Sequence, residues 1–192
     1  MAQELPPIQN FSPDNYYAGN QNWMISQSAD RNIFIANNSG LLEFNGAKWK
    51  LNTSLNGSVV RSVKVIDGLI YTGCYMDFGF WEKDLFGDLN YTSLIPKLHQ
   101  ELIEDEQFWN IQEFRDWILF QSLDRIYIYN TKKETFNIVE AKSLRANIFI
   151  ERNTIYFQKL NEGIFKIENG KSVVVIADAV VKENNLIGTF II

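Results

Sequence analysis

The sequence predicts an all-β protein: a β-propeller fragment of four four-stranded antiparallel blades plus the start of a fifth. Short apolar segments recur at 33–36, 70–73, 118–121 and 155–158, and their first residues are 37, 48 and 37 positions apart. A turn and a further strand follow each segment. Repeats of about forty residues made of short strands are typical of propellers and similar arrays. The aromatic fraction of 14% fits stacked sheets, because flat rings pack well between them.

The repeat divides one domain, residues 1–192, into blades at approximately 20–52, 58–93, 108–140 and 145–177, with the next blade starting at 180–192. The predicted strands are 23–26, 33–36, 41–44 and 48–51; 60–65, 69–73, 79–82 and 89–92; 109–114, 117–121, 125–129 and 135–139; 146–151, 154–158, 163–167 and 172–176. Hairpin turns are predicted at 45–46, 67–68, 152–153 and 169–170. Three of these pairs contain a glycine, which supplies the positive φ angles of tight two-residue turns.

The longer 48-residue step places an insertion between Tyr91 and Trp109. Residues 93–96 are predicted to open a short helix, with Leu98, Leu102 and Ile103 on its apolar side. The insertion is either a decorated loop or a helix that binds a partner.

Composition excludes several function classes. The formal net charge is −5 and the basic residues are scattered, which argues against nucleic-acid binding because such binding needs a basic face. Cys74 and His99 are the only residues of their types, so we expect no disulfide framework, no metal site and no cofactor. No apolar run is long enough to cross a bilayer.

Catalytic patterns are missing from the sequence, and we therefore predict a protein that is not an enzyme. No Ser/His/Asp set, no Ser-x-Asp-x-Gly-x-Thr-Trp box of sialidases and no Asp-x-Asp-x-Asp-Gly calcium loop occurs. Carboxylates such as Asp77, Glu82, Asp84 and Asp88 can be drawn as a general acid and base pair, but their spacing does not single them out.

Both ends of the chain suggest a piece of a longer secreted protein. Residues 2–7 are typical of the start of a mature chain after signal-peptide removal, and residues 184–192 suggest a turn followed by an apolar strand. Because such a strand needs a partner, we expect further chain to follow and the isolated fragment to expose strand edges and to associate.

Six residues are candidates for ligand binding. In a propeller, the loops that enter the inner strands and the loops between second and third strands emerge on one face, near the central channel. These loops contain the candidates Arg61, Tyr75, Asp77, Trp109, Asp124 and Asn37. Aromatic planes beside amides and charges suit sugar recognition. For Trp23, Trp81 and Trp109 the alternative role is packing between blades, which leaves Arg61, Tyr75 and Asp77 as the preferred candidates.

Several segments also carry a family resemblance. Residues 7–16 with Ala18, residues 21–27 and residues 37–46 resemble the opening blades of the Bacteroidetes two-component regulator propellers, and residues 73–81 and 120–122 continue the match. The resemblance covers essentially the whole chain and is most specific in its first third. The fourth blade departs from it, since residues 145–150 lack the tryptophan that Trp23 and Trp109 provide.

The resemblance implies a periplasmic input module that reports an oligosaccharide or another nutrient to a regulator. In this family a three-tyrosine β-sandwich, a transmembrane helix and a histidine kinase or LuxR-type helix-turn-helix output follow the propeller. It therefore implies a homodimer in the full-length protein and a membrane helix only in a missing C-terminal part. The alternative functions are a non-catalytic scaffold for protein–protein interaction and, ranked below it, a propeller lyase or hydrolase.

Overall fold

The computed structural model describes residues 8–54 and 57–184, which contain sixteen strands in four antiparallel sheets. The first sheet consists of β1 (Asn22–Gln27), β2 (Ile33–Asn37), β3 (Gly40–Phe44) and β4 (Trp49–Asn52). The second consists of β5 (Val60–Ile66), β6 (Leu69–Cys74), β7 (Phe78–Lys83) and β8 (Leu89–Ser93). The third consists of β9 (Asn110–Phe114), β10 (Trp117–Gln121), β11 (Arg125–Asn130) and β12 (Thr135–Glu140). The fourth consists of β13 (Ile148–Glu151), β14 (Thr154–Lys159), β15 (Gly163–Glu168) and β16 (Lys171–Ile176).

The predicted all-β architecture of four four-stranded blades is confirmed. Within each sheet the strands lie side by side in chain order, and every strand begins and ends within two residues of its predicted bounds. We call the sheets blades 1 to 4. The inner strands β1, β5, β9 and β13 contact one another in that order, so consecutive blades are neighbours in space.

Two-residue turns join several of these strands as predicted. The turns at 67–68, 152–153 and 169–170 have positive φ at both positions, the geometry that matches the twist of the flanking strands. The predicted turn at 45–46 is wrong, because only Gly46 has a positive φ. There the Asn45 side chain accepts hydrogen bonds from the backbone N–H groups of Ala47 (3.0 Å) and Lys48 (2.8 Å). This longer Asx-type loop delays the start of β4 to Trp49.

The helix predicted in the insertion is also wrong. Only a short 3₁₀ turn forms, at Ile95–Lys97, and the chain then continues without regular structure to β9. Leu94 is fully buried, and Leu98 and Leu102 pack against the core between blades 2 and 3. The apolar residues of the insertion therefore cover the core of the protein, which favours the decorated loop over the partner-binding helix.

Two other short helices lie outside the sheets: α1 (Pro13–Tyr16) and α2 (Ala179–Glu183). Helix α2 lies at the start of the region 180–192 in which a fifth blade is predicted to begin. The strand predicted from residue 186 and the leader-like residues 2–7 lie outside the described residues. Within the described ranges, no helix has the length and apolar character needed to span a membrane.

Three buried clusters hold consecutive blades together. One joins blade 1 to blade 2, a second joins blade 2 to blade 3, and a third joins blade 3 to blade 4. The middle cluster is rich in aromatic residues and centres on Phe78, which is completely buried. Its ring lies 4.5 Å from Phe120, 4.6 Å from Phe108 and 5.4 Å from Tyr127, measured between ring centroids.

Replacing Phe78 with alanine is expected to lower the free energy of unfolding by about 3–5 kcal/mol, because it leaves a cavity where two blades and the insertion meet. Urea denaturation followed by tryptophan fluorescence measures this change. Phe86→Ala is the control: Phe86 is 92% exposed, and its removal should change stability by less than about 0.5 kcal/mol. Equal effects of the two substitutions would contradict the assigned core.

Candidate functional site

Two irregularities at the starts of inner strands position the central residues of the site. The pairing of β1 with β2 shifts register between Asn22 and Met24, and the pairing of β5 with β6 shifts between Val60 and Ser62. Trp23 and Arg61 are the extra residues at these two β-bulges. A bulge interrupts the alternation of the strand and re-aims the side chain of the extra residue.

Arg61 contacts two tryptophan rings at this end of the blades. Its guanidinium carbon is 4.5 Å from the ring centroid of Trp23 and 4.7 Å from that of Trp109. The two rings are themselves 5.6 Å apart in an edge-to-face arrangement at 80°. Trp23, Arg61 and Trp109 come from blades 1, 2 and 3, so the arrangement exists only after three blades have assembled.

Amide side chains complete the surroundings of the guanidinium. Arg61 Nε donates to Gln107 Oε1 (2.9 Å), and Nη1 donates to Asn38 Oδ1 at a long 3.4 Å. The Trp23 indole N–H donates to the same Asn38 oxygen (2.7 Å). We call Trp23, Asn38, Arg61, Gln107 and Trp109 the Arg61 cluster.

The positive charge of Arg61 contacts the two indole rings and has no carboxylate partner among the described residues. Among the described residues Arg61 forms no ion pair, and burial lowers the pKa of its guanidinium from the ordinary value because desolvation disfavours the charged form. Cation–π contacts with the two indoles oppose this cost. The cluster is thus a half-buried cation with aromatic walls.

A shallow cavity of about 110 Å³ adjoins the cluster and is lined by the insertion and by the turn between β10 and β11. Its lining residues include Glu104, Asp105, Gln107, Trp109, Leu123 and Asp124. Glu106 forms its base and is buried: it accepts hydrogen bonds from Ser122 Oγ (2.6 Å) and from Tyr127 OH (2.7 Å). These bonds tie the insertion to blade 3 and thereby fix the position of Gln107.

Four of the six predicted site residues lie at the cluster or the cavity. Arg61 and Trp109 are in direct contact, and Asp124 lines the adjoining cavity. Tyr75 pairs through its backbone with Gln107, and its hydroxyl donates to the carboxylate of Asp105. This hydrogen bond raises the pKa of Tyr75, since it stabilises the protonated phenol.

The other two predicted residues are engaged inside the protein. The Asn37 side chain is completely buried and donates to Gly19 O and Asn22 Oδ1, both at 2.7 Å. The buried Asp77 accepts a hydrogen bond from Ser93 Oγ (2.6 Å). The structure therefore does not bring Asn37 and Asp77 into the Arg61 cluster; both stabilise the loops behind it.

Three members of the Arg61 cluster are not among the six candidates: Trp23, Asn38 and Gln107. Gln107 belongs to the insertion, and no repeat position marks it. Trp23 was interpreted as packing, yet it is 41% exposed and contacts Arg61. Its position at the start of an inner strand, equivalent to that of Arg61, was the available signal. Trp81 does pack internally, with its indole N–H bonded to Thr72 Oγ1 (2.9 Å).

Residues 8–54 and 57–184 contain no candidate metal site and no reactive thiol. No group of three His, Cys, Asp or Glu side chains in these ranges is arranged to hold a metal ion. Cys74 is fully buried, and burial raises the pKa of its thiol to about 12. The thiol is therefore protonated at neutral pH and unsuited to act as a nucleophile.

Comparisons with known proteins show the fold. No protein-family model and no curated protein matches the chain, but solved structures do. The extracellular domain of BT4673 from B. thetaiotaomicron, described as a one-component system, has a TM-score of 0.58 and 17% identity over 86% of this chain and 24% of its own. A second structure of a BT4673 extracellular domain, described as a hybrid two-component system, has a TM-score of 0.56 and 18% identity over 83% and 22%.

An enzyme shares the same architecture. Virginiamycin B lyase from Staphylococcus aureus has a TM-score of 0.53 and 16% identity over 77% of this chain and 52% of its own. The chain thus spans about a quarter of the BT4673 domain and about half of the lyase. The neighbours of the chain therefore include extracellular domains of a one-component or hybrid two-component system, and at these identities the likeness establishes the fold.

The buried carboxyl of Asp77 provides a pH-dependent test of the loops behind the site. Burial raises its pKa above the ordinary 3.8, so the folded state binds its proton more tightly than the unfolded state. Stability should therefore fall as pH rises from about 3.9 through the raised pKa, and then stay level. Asp77→Asn is expected to remove this fall and to be at least as stable as the parent at pH 7.

Urea denaturation between pH 3 and pH 7 measures this effect. Asp84→Asn is the matched control of opposite sign: hydrogen bonds from the backbone of Asp88 and Phe86 lower the pKa of Asp84, so its replacement should cost stability at pH 7. Identical pH profiles for the parent and Asp77→Asn would contradict the assignment.

Proposed function

We propose that this chain is part of the ligand-sensing input region of a regulator, located in the periplasm, and that it binds an oligosaccharide or another nutrient at the Arg61 cluster. The observation that carries the proposal is the half-exposed Trp23 beside the guanidinium of Arg61. Three blades contribute side chains to this cluster. The packing of the hydrophobic core does not require a cation at this position.

The chemistry of the cluster suits a saccharide. Sugar rings present apolar C–H faces that stack on indole planes, and their hydroxyls accept hydrogen bonds from donors placed around the rim. Trp23 supplies an exposed plane, and Arg61 supplies donors. The adjoining cavity adds carboxylates, including Asp124, which accept hydrogen bonds from hydroxyls.

Likeness to the BT4673 extracellular domains supports a sensing role, as does the resemblance of the first blades to regulator propellers. A non-catalytic role fits the internal hydrogen bonds of Glu106 and the protonated thiol of Cys74. Virginiamycin B lyase shares the fold, so the fold by itself leaves catalysis open. In the proposed regulator the full-length protein is a homodimer, and a membrane helix follows this region.

A second function, a scaffold for protein–protein interaction, is favoured by a separate observation. Strand β16 at the outer edge of blade 4 leaves Val173, Val174, Val175 and Ile176 between 37% and 54% exposed. Such an edge is suited to pairing with another strand. This function does not require a small ligand.

Thermal-shift measurements with a panel of plant, algal and host oligosaccharides separate the two functions. A saccharide that binds the folded state raises the melting temperature, because binding adds about RT ln(1 + [L]/Kd) to the free energy of unfolding. We expect one glycan class to do so. Its affinity, measured by isothermal titration calorimetry, should fall about tenfold or more in Trp23→Ala through loss of stacking.

Phe86→Ala is the control for this titration, because Phe86 is an exposed aromatic residue in the hairpin at the opposite end of blade 2. It should bind like the parent. A panel that shifts no melting temperature would overturn the sensing proposal and favour the scaffold. Equal losses in both variants would show that the ligand binds elsewhere.

A further inference from the structure

Arg61 has hydrogen-bonding capacity that the protein does not use. A guanidinium carries five N–H donors in one plane. Nε donates to Gln107 and one N–H of Nη1 donates weakly to Asn38. In the described part of the chain, the remaining three donors, on Nη1 and Nη2, have no protein acceptor.

The positive charge of Arg61 is equally without a protein counterion. Arg125, another partly buried arginine, forms an ion pair with Glu140 (3.2 Å). No carboxylate in the described ranges pairs with Arg61, although acidic residues lie nearby in the insertion. Two of the carboxylates that line the adjoining cavity have other partners: Asp105 accepts from Tyr75, and Glu106 accepts from Ser122 and Tyr127. Glu104 and Asp124 also line that cavity and form no ion pair with Arg61.

Aromatic rings can stabilise this cation only in part. The guanidinium carbon lies over the rings of Trp23 and Trp109, and such contacts are worth about 0.5–2 kcal/mol each. These ring contacts supply no acceptor for the three remaining N–H groups of Arg61. A partly desolvated donor without an acceptor is costly. An acceptor supplied in the guanidinium plane would complete the cluster.

We propose that the Arg61 cluster binds an acidic saccharide, with the carboxylate of a uronic acid residue on the free donors of Arg61 and the sugar ring on the exposed face of Trp23. The proposal rests on the sensing function proposed above and names the class of its ligand. Carboxylate oxygens match the spacing of guanidinium N–H groups, which permits two parallel charge-assisted hydrogen bonds. The contacts of Arg61 with Trp23, Trp109 and Gln107 hold the guanidinium in position before the ligand arrives, so little side-chain entropy is lost on binding.

The test compares ligands that differ only in the charge of the carboxyl group. Trisaccharides of galacturonic, glucuronic and mannuronic acid are titrated into the 192-residue chain by isothermal titration calorimetry, each beside its methyl ester and its neutral hexose counterpart. We expect at least one acid to bind tenfold or more tightly than its ester. That advantage should shrink as salt concentration rises, since the ion pair is partly exposed.

Three variants locate the source of this preference. Arg61→Gln should bring the acid and its ester to equal affinity, whereas Arg61→Lys, which keeps the charge without the fork, should retain part of the preference. Arg115→Gln is the matched control: Arg115 also stacks on a ring, that of Phe114 at 5.1 Å, but lies at the opposite end of blade 3. It should leave the ratio unchanged. Melting temperatures establish whether each variant is folded. If Arg61→Gln does not fold, Arg61→Lys still tests the proposal.

The outcomes separate this inference from the proposed function. Binding of neutral saccharides with no preference for any acid would overturn the acidic ligand and leave the sensing function intact. An acid-to-ester ratio that is unchanged in Arg61→Gln would overturn the role of Arg61. Competition by sodium sulfate as strong as that by the acids would show a general anion site and overturn the carboxylate assignment. Failure of every saccharide to bind would overturn both proposals.

Discussion

The structure depends on the stacking of each blade on the next through large apolar side chains. A single four-stranded sheet of this size is not stable by itself, because its apolar surface must be removed from water. Phe78 illustrates the constraint, since its ring contacts aromatic residues of blade 3 and of the insertion. The position of every loop at the end of the blades that contains the Arg61 cluster follows from this stacking, because the loops are joined to the strands that it fixes.

The insertion between blades 2 and 3 connects the core to the candidate site. Its apolar residues Leu94 and Phe108 are fully buried in the same cluster as Phe78. Its buried Glu106 is bound to two hydroxyls of blade 3. Between these anchors the insertion presents Gln107 to Arg61. A segment that the sequence presents as a decorated loop is therefore part of both the core and the Arg61 cluster.

The Arg61 cluster shows how different residues at equivalent repeat positions produce an arrangement that the repeats do not share. Equivalent positions at the starts of inner strands carry tryptophan in blade 1 and arginine in blade 2, and Trp109 precedes the inner strand of blade 3. Because these strands are neighbours in space, side chains some forty residues apart in sequence converge. Variation at one repeat position, and not any local motif, brings a cation into contact with two indole rings.

The sequence by itself determined the strands, most turns and the blade pattern, because strand periodicity and Asp-Gly or Asn-Gly turns are local properties of the chain. It also placed Arg61 and Trp109 at the same end of the sheets. Only the tertiary structure decided which polar residues reach the Arg61 cluster. Asn37 and Asp77 are buried and hydrogen-bonded to neighbouring loops, whereas Trp23 contacts Arg61. These outcomes depend on contacts between blades and on bulges, and such non-local contacts leave no periodic signal in the sequence.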